Sequence, residues 1–310
     1  MTTTSPIDLS IVIECTTGEI TGRCDTAANL AEWLAQARAL PVRSEILVVA
    51  PRLVRAPDGG AVEIRCLEVP GAGYYALKNA GAAAARGEIV LFTDVDCRPG
   101  AAYLDTLLET FRGPATACVA GRSLYDGPGV LTRLNSAHSF GDLQRAPGYL
   151  DRGMVVSHNV AVRRSALRER PWGPNTGRVG GDGYFCDALR AAGHRIRLEP
   201  GLVIHHEDIS YSLRGTLERH LREHLLPVRY GTARQRFSAA WTVASVLALR
   251  PLLRLKRIVQ AGPRIGIGVR HWPAALLVNA GYWVFDVACV SAVLTVPRLR
   301  RHWLRFVYGV

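Results

Sequence analysis

Short apolar-rich runs open the chain at Leu9–Ile13, Glu45–Ala50, Val62–Val69, Glu88–Thr93 and Thr116–Ala120. Runs of this length between polar and glycine-bearing segments predict buried strands. Between the first two, Leu30, Trp33, Leu34 and Ala37 recur at i, i+3, i+4 and i+7, which puts all four on one helix face. Gly73–Arg86 is Ala-rich and reads as a second helix, and Tyr103–Arg112 gathers Leu104, Leu107, Leu108 and Phe111 on one side. Strands alternating with one-faced helices predict an α/β fold, with a mostly parallel, Rossmann-like sheet flanked by helices.

The regularity then fades. Residues 121–153 are rich in Gly, Pro and polar groups and read as loops with room for one helix. Met154–Val162 is a further strand. Pro171 to Gly183 holds two prolines and five glycines, too many for a regular element, and reads as a mobile loop. From Asp182 a helix shows Phe185, Ala188, Leu189 and Ala192 on one face and stops at Gly193. A strand near Leu202–Ile204 follows, then a helix carrying Leu213, Leu217, Leu221 and Leu225.

Beyond Gly231 basic residues interrupt the apolar segments. Ser238–Leu249 has twelve uncharged residues, short of the roughly 20 that a bilayer span needs. Ala274–Val296 has 23 residues with one charge, Asp286. That length permits a span, while a central Asp costs about 2.5–3.5 kcal/mol on insertion. A spanning helix, a helix or hairpin lying in the membrane interface, and a helix buried in protein all remain open. The expected division is an α/β domain over 1–231 and a helical membrane-associating tail over 232–310.

Composition sharpens this picture in three places. With 310 residues, 48% hydrophobic and 21% charged, the chain has material for a large packed core and excludes long disorder. The net charge of +12 is uneven: from Gly231 onward twelve Lys and Arg face a single acid, and the rest is near neutral. Basic residues interleaved with apolar ones favour an anionic membrane surface over nucleic acid. Seven cysteines lie at 15, 24, 66, 97, 118, 186 and 289 without a CxxC pair. Their spacing favours free thiols in a reducing compartment over a structural zinc site. Met1–Pro6 holds no basic stretch leading into an apolar one, so no secretory signal is expected. The expected location is the cytoplasmic side of the cell membrane. Nothing in the sequence fixes an oligomeric state.

Candidate chemistry centres on Gly87-Glu-Ile-Val-Leu-Phe-Thr-Asp94-Val-Asp96. A buried strand ends in two carboxylates at i and i+2, which point the same way on an extended chain. The C-terminal edge of such a sheet is where ligands bind, and oxygen ligands there suit Mg2+ or Mn2+ beside a phosphate. The same pair also reads as plain acids in a strand-end turn. Gly71-Ala-Gly73-Tyr-Tyr-Ala76 fits the dinucleotide pattern GxGxxG/A and keeps an NAD-type oxidoreductase open as an alternative. It lies in the third strand–helix unit rather than the first. Asp182, set among glycines, reads equally as a general base and as a helix N-cap. His205, at a strand end before His206-Glu207-Asp208, is a candidate metal ligand. His220 and His224 share a helix face without an HExxH glutamate and read as a solvated surface.

In order, these pieces resemble family 2 of the inverting glycosyltransferases, which have the GT-A fold, over roughly Asp8 to Gly231. The resemblance is carried by Leu77-Lys-Asn79-Ala-Gly81 leading into Asp94-Val-Asp96, by Ser157-His-Asn159-Val-Ala-Val-Arg163-Arg164, by Gly181-Asp182, and by His205 with Arg229-Tyr230-Gly231. It implies a metal-dependent, inverting transfer of a sugar from a UDP-, GDP- or dTDP-sugar to a lipid-linked or other membrane-proximal acceptor. It further implies that Asp96 ligates the metal, that His205 assists the metal or diphosphate, and that Asp94 contacts the ribose or base. Asp182 would be the catalytic base and Lys78 a contact to the nucleotide or diphosphate. The chain departs from the family pattern after the first strand, where Glu14-Cys15-Thr16 replaces a Pro-x-x-Asn-Glu-like turn, and after the second, where Ala50-Pro51 replaces an acidic pair. Glu14 stands as a partial substitute in the base pocket. The altered pocket keeps a second alternative open, a non-catalytic GT-A-like module that binds a membrane surface.

Overall fold

Leu9–Glu14 (β1), Ser44–Ala50 (β2) and Ile89–Asp94 (β4) are buried along their whole length, as expected of central strands covered on both faces. The computed structural model describes residues 7–16, 26–52, 54, 58–113, 116–127, 129–151, 153–174, 180–207 and 248–297. Two compact units form: one holds residues 1–123, 146–177 and 181–206, the other 124–145, 178–180 and 207–310.

The first unit is built on a sheet of nine strands. The others are Glu63–Glu68 (β3), Cys97–Pro99 (β5), Cys118–Tyr125 (β6), Gly148–Tyr149 (β7), Val160–Arg163 (β8) and Ile196–His206 (β9). Their order is β3-β2-β1-β4-β8-β6-β9-β5, with β7 beside β9. β3, β2, β1 and β4 run parallel, whereas β8 is antiparallel to both β4 and β6, and β5 is antiparallel to β9. The sheet is therefore an α/β mixed sheet. Its parallel half is the half the sequence pattern predicts. The antiparallel half lies where the pattern is irregular: β6 runs on to Tyr125, β8 covers only the end of Met154–Val162, and β9 extends far either side of Leu202–Ile204.

Helix Thr26–Ala39 (α1) presents Leu30, Trp33, Leu34 and Ala37 to the core, as their spacing requires, and Tyr103–Phe111 (α3) presents Leu104, Leu107 and Phe111 to the same cluster. Tyr74–Ala84 (α2) crosses β1 and β2 so closely that a Cβ on Gly81 would stand 2.3 Å from a methyl of Val12. Only glycine fits there without moving the helix off the sheet.

A buried carboxylate ties these elements together. Glu45 of β2 accepts from Ser10 Oγ at 2.7 Å, from Arg86 N at 2.8 Å and from the Arg86 and Arg65 guanidiniums. Burial alone would raise its pKa, but these donors outweigh it and hold the group below the ordinary carboxylate range. Both arginines are partly exposed and can resolvate, so the expected loss in Glu45→Ala is about 2 kcal/mol, that of hydrogen bonds to a charged group. Denaturant unfolding checks it. Because the folded-state pKa is lowered, the contribution is present above the ordinary Glu range and fades as pH falls through the folded value.

In the second unit, Val130–Phe140 (α4), Arg250–Ala261 (α6) and Trp272–Thr295 (α7) pack around Leu134, Ala137, Ile258, Ala261, Ile267 and Ala275. Asp286 of α7 is fully buried and ion-paired with Arg254 of α6, which also donates to His138 Nε2 at 2.6 Å. The one acid of Ala274–Val296 is thus matched by a basic residue of the same unit. Among the described residues, no helix is long and apolar enough to cross a membrane. The helix expected around Leu213–Leu225, His220 and His224, and most of Ser238–Leu249 lie outside the described residues.

Candidate active site

β4 delivers Asp94 to the C-terminal rim of the sheet, opposite Glu14 of β1 in parallel register. The chain then turns through Val95-Asp96 into β5. Three side chains spaced along α1 hold that turn: Asn29 Nδ2 donates to Val95 O at 2.9 Å, Trp33 Nε1 to Cys97 O at 2.9 Å, and Gln36 Nε2 to Gly100 O at 2.8 Å. The carbonyls of a bent, buried segment are satisfied this way, and the path of the acid pair is fixed. Trp33, read from its spacing as core, thus also clamps the rim.

Lys78 rises from α2 to Asp94, with Nζ 2.6 Å from Oδ1. Its other contacts are Thr93 O at 3.2 Å and Ser157 O at 3.0 Å. An ammonium has three protons, and three acceptors meet it inside a fully buried site. In this arrangement Lys78 gives its three protons to the protein, where a contact to a nucleotide or diphosphate is the expectation from sequence. It is the internal counter-ion of Asp94. Tyr74 Oη donates to the second oxygen, Asp94 Oδ2, at 2.7 Å. Burial works to raise the Asp94 pKa, but the Lys78 charge, with His158 and the two hydrogen bonds, holds it below the ordinary range. Glu14, also fully buried, is raised to about 7, first by burial and then by the Asp94 charge, against the pull of Lys78 and Thr16. Thr16 N donates to Glu14 Oε1 at 2.5 Å.

The glycine turn at Gly71–Ala76, the formal dinucleotide pattern, leads into a helix whose first two side chains, Tyr74 and Tyr75, are buried. Tyr74 serves the acid pair, and the turn thereby belongs to this rim.

Asp96 is completely buried, and His206 Nε2 lies 3.8 Å from its Oδ2. Ligand atoms of Asp94, Asp96 and His206 all fall within 4.8 Å of one another. The histidine in this group is His206. His205 is turned away, because successive side chains of a strand alternate. In register with Arg98, it lies near the Arg98–Glu32 pair, and burial together with the Arg98 charge lowers its pKa. The expectation from sequence names His205 as metal ligand, whereas the histidine gathered with the two acids is His206. The sequence offered His205-His206 at a strand end, and only the pairing of β9 with β5 decides which faces the acids. Two carboxylates and an imidazole make a set that accepts Mn2+ or Mg2+ by ligand type.

Asp182 stands in the first turn of Gly181–Ala191 (α5). An aromatic stack seats this helix: Tyr75 on Trp172 at 5.9 Å and Trp172 on Phe185 at 4.4 Å. A Cβ on Gly181 would enter the Tyr75 ring at 2.5 Å. Asn79 fixes the preceding segment, accepting from Trp172 N at 3.1 Å and donating to Gly173 O at 3.0 Å. Asp182 Oδ1 has no hydrogen-bond partner among the described residues. Burial raises the carboxyl to about 6, opposed by hydrogen bonds from Ser157 and Tyr75. Ser157 also meets Tyr74 Oη at 2.9 Å. Tyr74 gives its proton to Asp94 and Ser157 has one proton for Tyr74 or Asp182, so close polar contacts rather than one donor chain link Asp94 through Tyr74 and Ser157 to Asp182. Tyr74 and Ser157 were not singled out from sequence, because their partners lie 20 and 83 residues away along the chain.

With this geometry in view, the comparisons are informative. Residues 61–170 match the model of Glycosyl transferase family 2. A pre-mycofactocin glycosyltransferase of Mycobacterium tuberculosis is 34% identical over 156 residues, 48% of this chain and 33% of that protein. Glycosyltransferase AglE of Haloferax volcanii is 27% identical over 124 residues, 40% of this chain and 41% of its own length. The chain spans well under half the length of these curated relatives. In fold it is similar to the mannosyltransferase PcManGT of Pyrobaculum calidifontis, solved with GDP-Man and Mn2+, with a TM-score of 0.53, 16% identity, and 94% of this chain and 90% of that one covered.

Proposed function

We propose that this chain, which carries a family 2 glycosyltransferase domain, moves a glycosyl group from a nucleoside-diphosphate sugar to an acceptor hydroxyl with inversion. The observation that carries this reading is that the polar contacts of Tyr74 and Ser157 bring a partly buried carboxyl raised to about 6, Asp182, beside a rim where Asp94, Asp96 and His206 converge. Asp96 and His206, with Asp94 beside them, would hold Mg2+ or Mn2+. Bound there, the ion would offset the charge of the departing diphosphate.

The chain's own groups do the rest. Lys78 and Tyr74 fix both Asp94 oxygens, so the acid keeps its charge and orientation in a buried site. Asp182 accepts the acceptor's proton as that oxygen bonds to the anomeric carbon and the bond to the diphosphate breaks. One displacement, with the base on the acceptor side, inverts the centre. PcManGT, solved with GDP-Man and Mn2+, makes GDP-mannose the first donor to try, ahead of UDP- and dTDP-sugars.

The acceptor we favour is lipid-linked or otherwise at the membrane surface, on the cytoplasmic side. Support comes from the twelve basic residues after Gly231 and from Leu252, Leu253, Val259, Leu276 and Leu277, which are exposed on α6 and α7. Surfaces of this mixture bind anionic bilayers.

Thermal shift tests the donor site. GDP, UDP or dTDP is expected to raise Tm only with Mn2+ or Mg2+, since a ligand at about 100 times its Kd adds about 2.7 kcal/mol. His206→Ala should weaken the metal affinity read from that shift about tenfold or more, while His205→Ala leaves it near wild type. No shift with any nucleotide and metal would favour the non-catalytic module that Ala50-Pro51 keeps open. Equal losses in both histidine variants would overturn the assignment of His206.

A further inference from the structure

The rim carries a second donor set that shares one residue with the first. Cys97 Sγ and ring nitrogens of His158 and His206 lie within 4.8 Å of one another, and Cys97 Sγ is 3.7 Å from Asp96 Oδ1. These residues come from three parts of the chain, brought together where β5 pairs with β9 and where the turn before β8 places His158 edge-on to His206 at 4.8 Å. Mg2+ and Mn2+ have little use for a thiolate. One sulfur, two imidazoles and a neighbouring carboxylate are instead the ligands of a tetrahedral zinc site.

We infer that Cys97, His158 and His206, with Asp96 as the fourth ligand, form a site for a thiophilic divalent cation, Zn2+ or its surrogate Co2+. Zn–S near 2.3 Å and Zn–N near 2.0 Å at tetrahedral angles place ligand atoms about 3.3–3.5 Å apart, so no pair among Cys97, His158 and His206 closes by more than about 1.5 Å. His158 is buried beside His206. Ser123 Oγ sits 2.9 Å from its Nε2 and orients the ring, as outer partners of ligating histidines do. On ligation the Cys97 thiol proton passes to solvent and the S–metal bond forms, with no change of oxidation state. His206 and Asp96 cannot serve both ions at once. Zn2+ therefore competes with the Mn2+ or Mg2+ of the proposed reaction, and this consequence alone rests on the glycosyltransferase reading.

Co2+ titration of the full chain, followed by absorption, tests the site without any turnover assay. A sulfur-to-cobalt charge-transfer band is expected to rise to one equivalent, to be abolished by Zn2+, and to survive a large excess of Mn2+, which stands below Co2+ in affinity for such sites. Cys97→Ser should remove the band although the other six cysteines remain. His158→Gln, which keeps the thiol, should weaken Co2+ binding about tenfold or more and guards against a folding defect in the cysteine variant. No zinc-sensitive band in wild type, or a band unchanged in both variants, overturns the proposal. A band without zinc inhibition of transfer leaves the site standing and counts against the placement of the catalytic ion.

Discussion

Asp182→Asn is expected to lower kcat by about 10²- to 10⁴-fold, the usual worth of a positioned base, while the Kd for donor stays within about twofold, because the proposed role of the side chain is toward the acceptor. Asn keeps the size and the capacity to accept from Ser157 and Tyr75, so the seat of α5 is preserved. The pH profile should change with it. In wild type the base works as a carboxylate, and burial places its pKa at about 6; kcat/KM is full above that value and falls about tenfold per unit below it. The variant should lose this acid limb. Stability moves the other way. A raised carboxyl favours folding when protonated and costs stability once pH climbs past its folded value, so Asp182→Asn should be more stable at pH 7 by on the order of 1 kcal/mol, discounting for its partial exposure. A variant both slower and more stable is what a site under functional strain predicts. Near-normal turnover would remove Asp182 from the chemistry.

Asp96→Asn is the second large effect, a loss of metal-dependent transfer of about 10³-fold, since placing a cation beside a leaving diphosphate is worth several kcal/mol. The substitution preserves volume in a completely buried position. Melting temperature without ligand should therefore stay near wild type while Mn2+ affinity, read from the free-ion EPR signal, falls in parallel with turnover. Undiminished Mn2+ affinity would move the ion away from Asp96.

The parallel half of the sheet was legible because each strand is a short apolar run and each helix shows one apolar face. Leu30, Trp33, Leu34 and Ala37 land in the core as their spacing demands. The antiparallel half was not legible: β8 and β9 owe their extents to pairing across long sequence separations, which local pattern does not encode. Gly181-Asp182 was visible as a glycine-set carboxylate at a helix start, and the acid pair as the end of a buried strand. What the pattern left open was partnership. Lys78 reads as a ligand-binding cation until Thr93, Asp94 and Ser157 take up its three protons. His205 and His206 are equivalent until β5 sets the register. Asp286, a puzzle inside an apolar stretch, is explained by Arg254.

Diffraction at the manganese absorption edge, from crystals holding Mn2+ and a nucleoside diphosphate, reaches the central claim most directly. One strong anomalous peak is predicted within bonding distance of Asp96 and His206, with phosphate oxygens completing its shell and His205 remote. A peak elsewhere, or none with nucleotide visibly bound, would contradict the account.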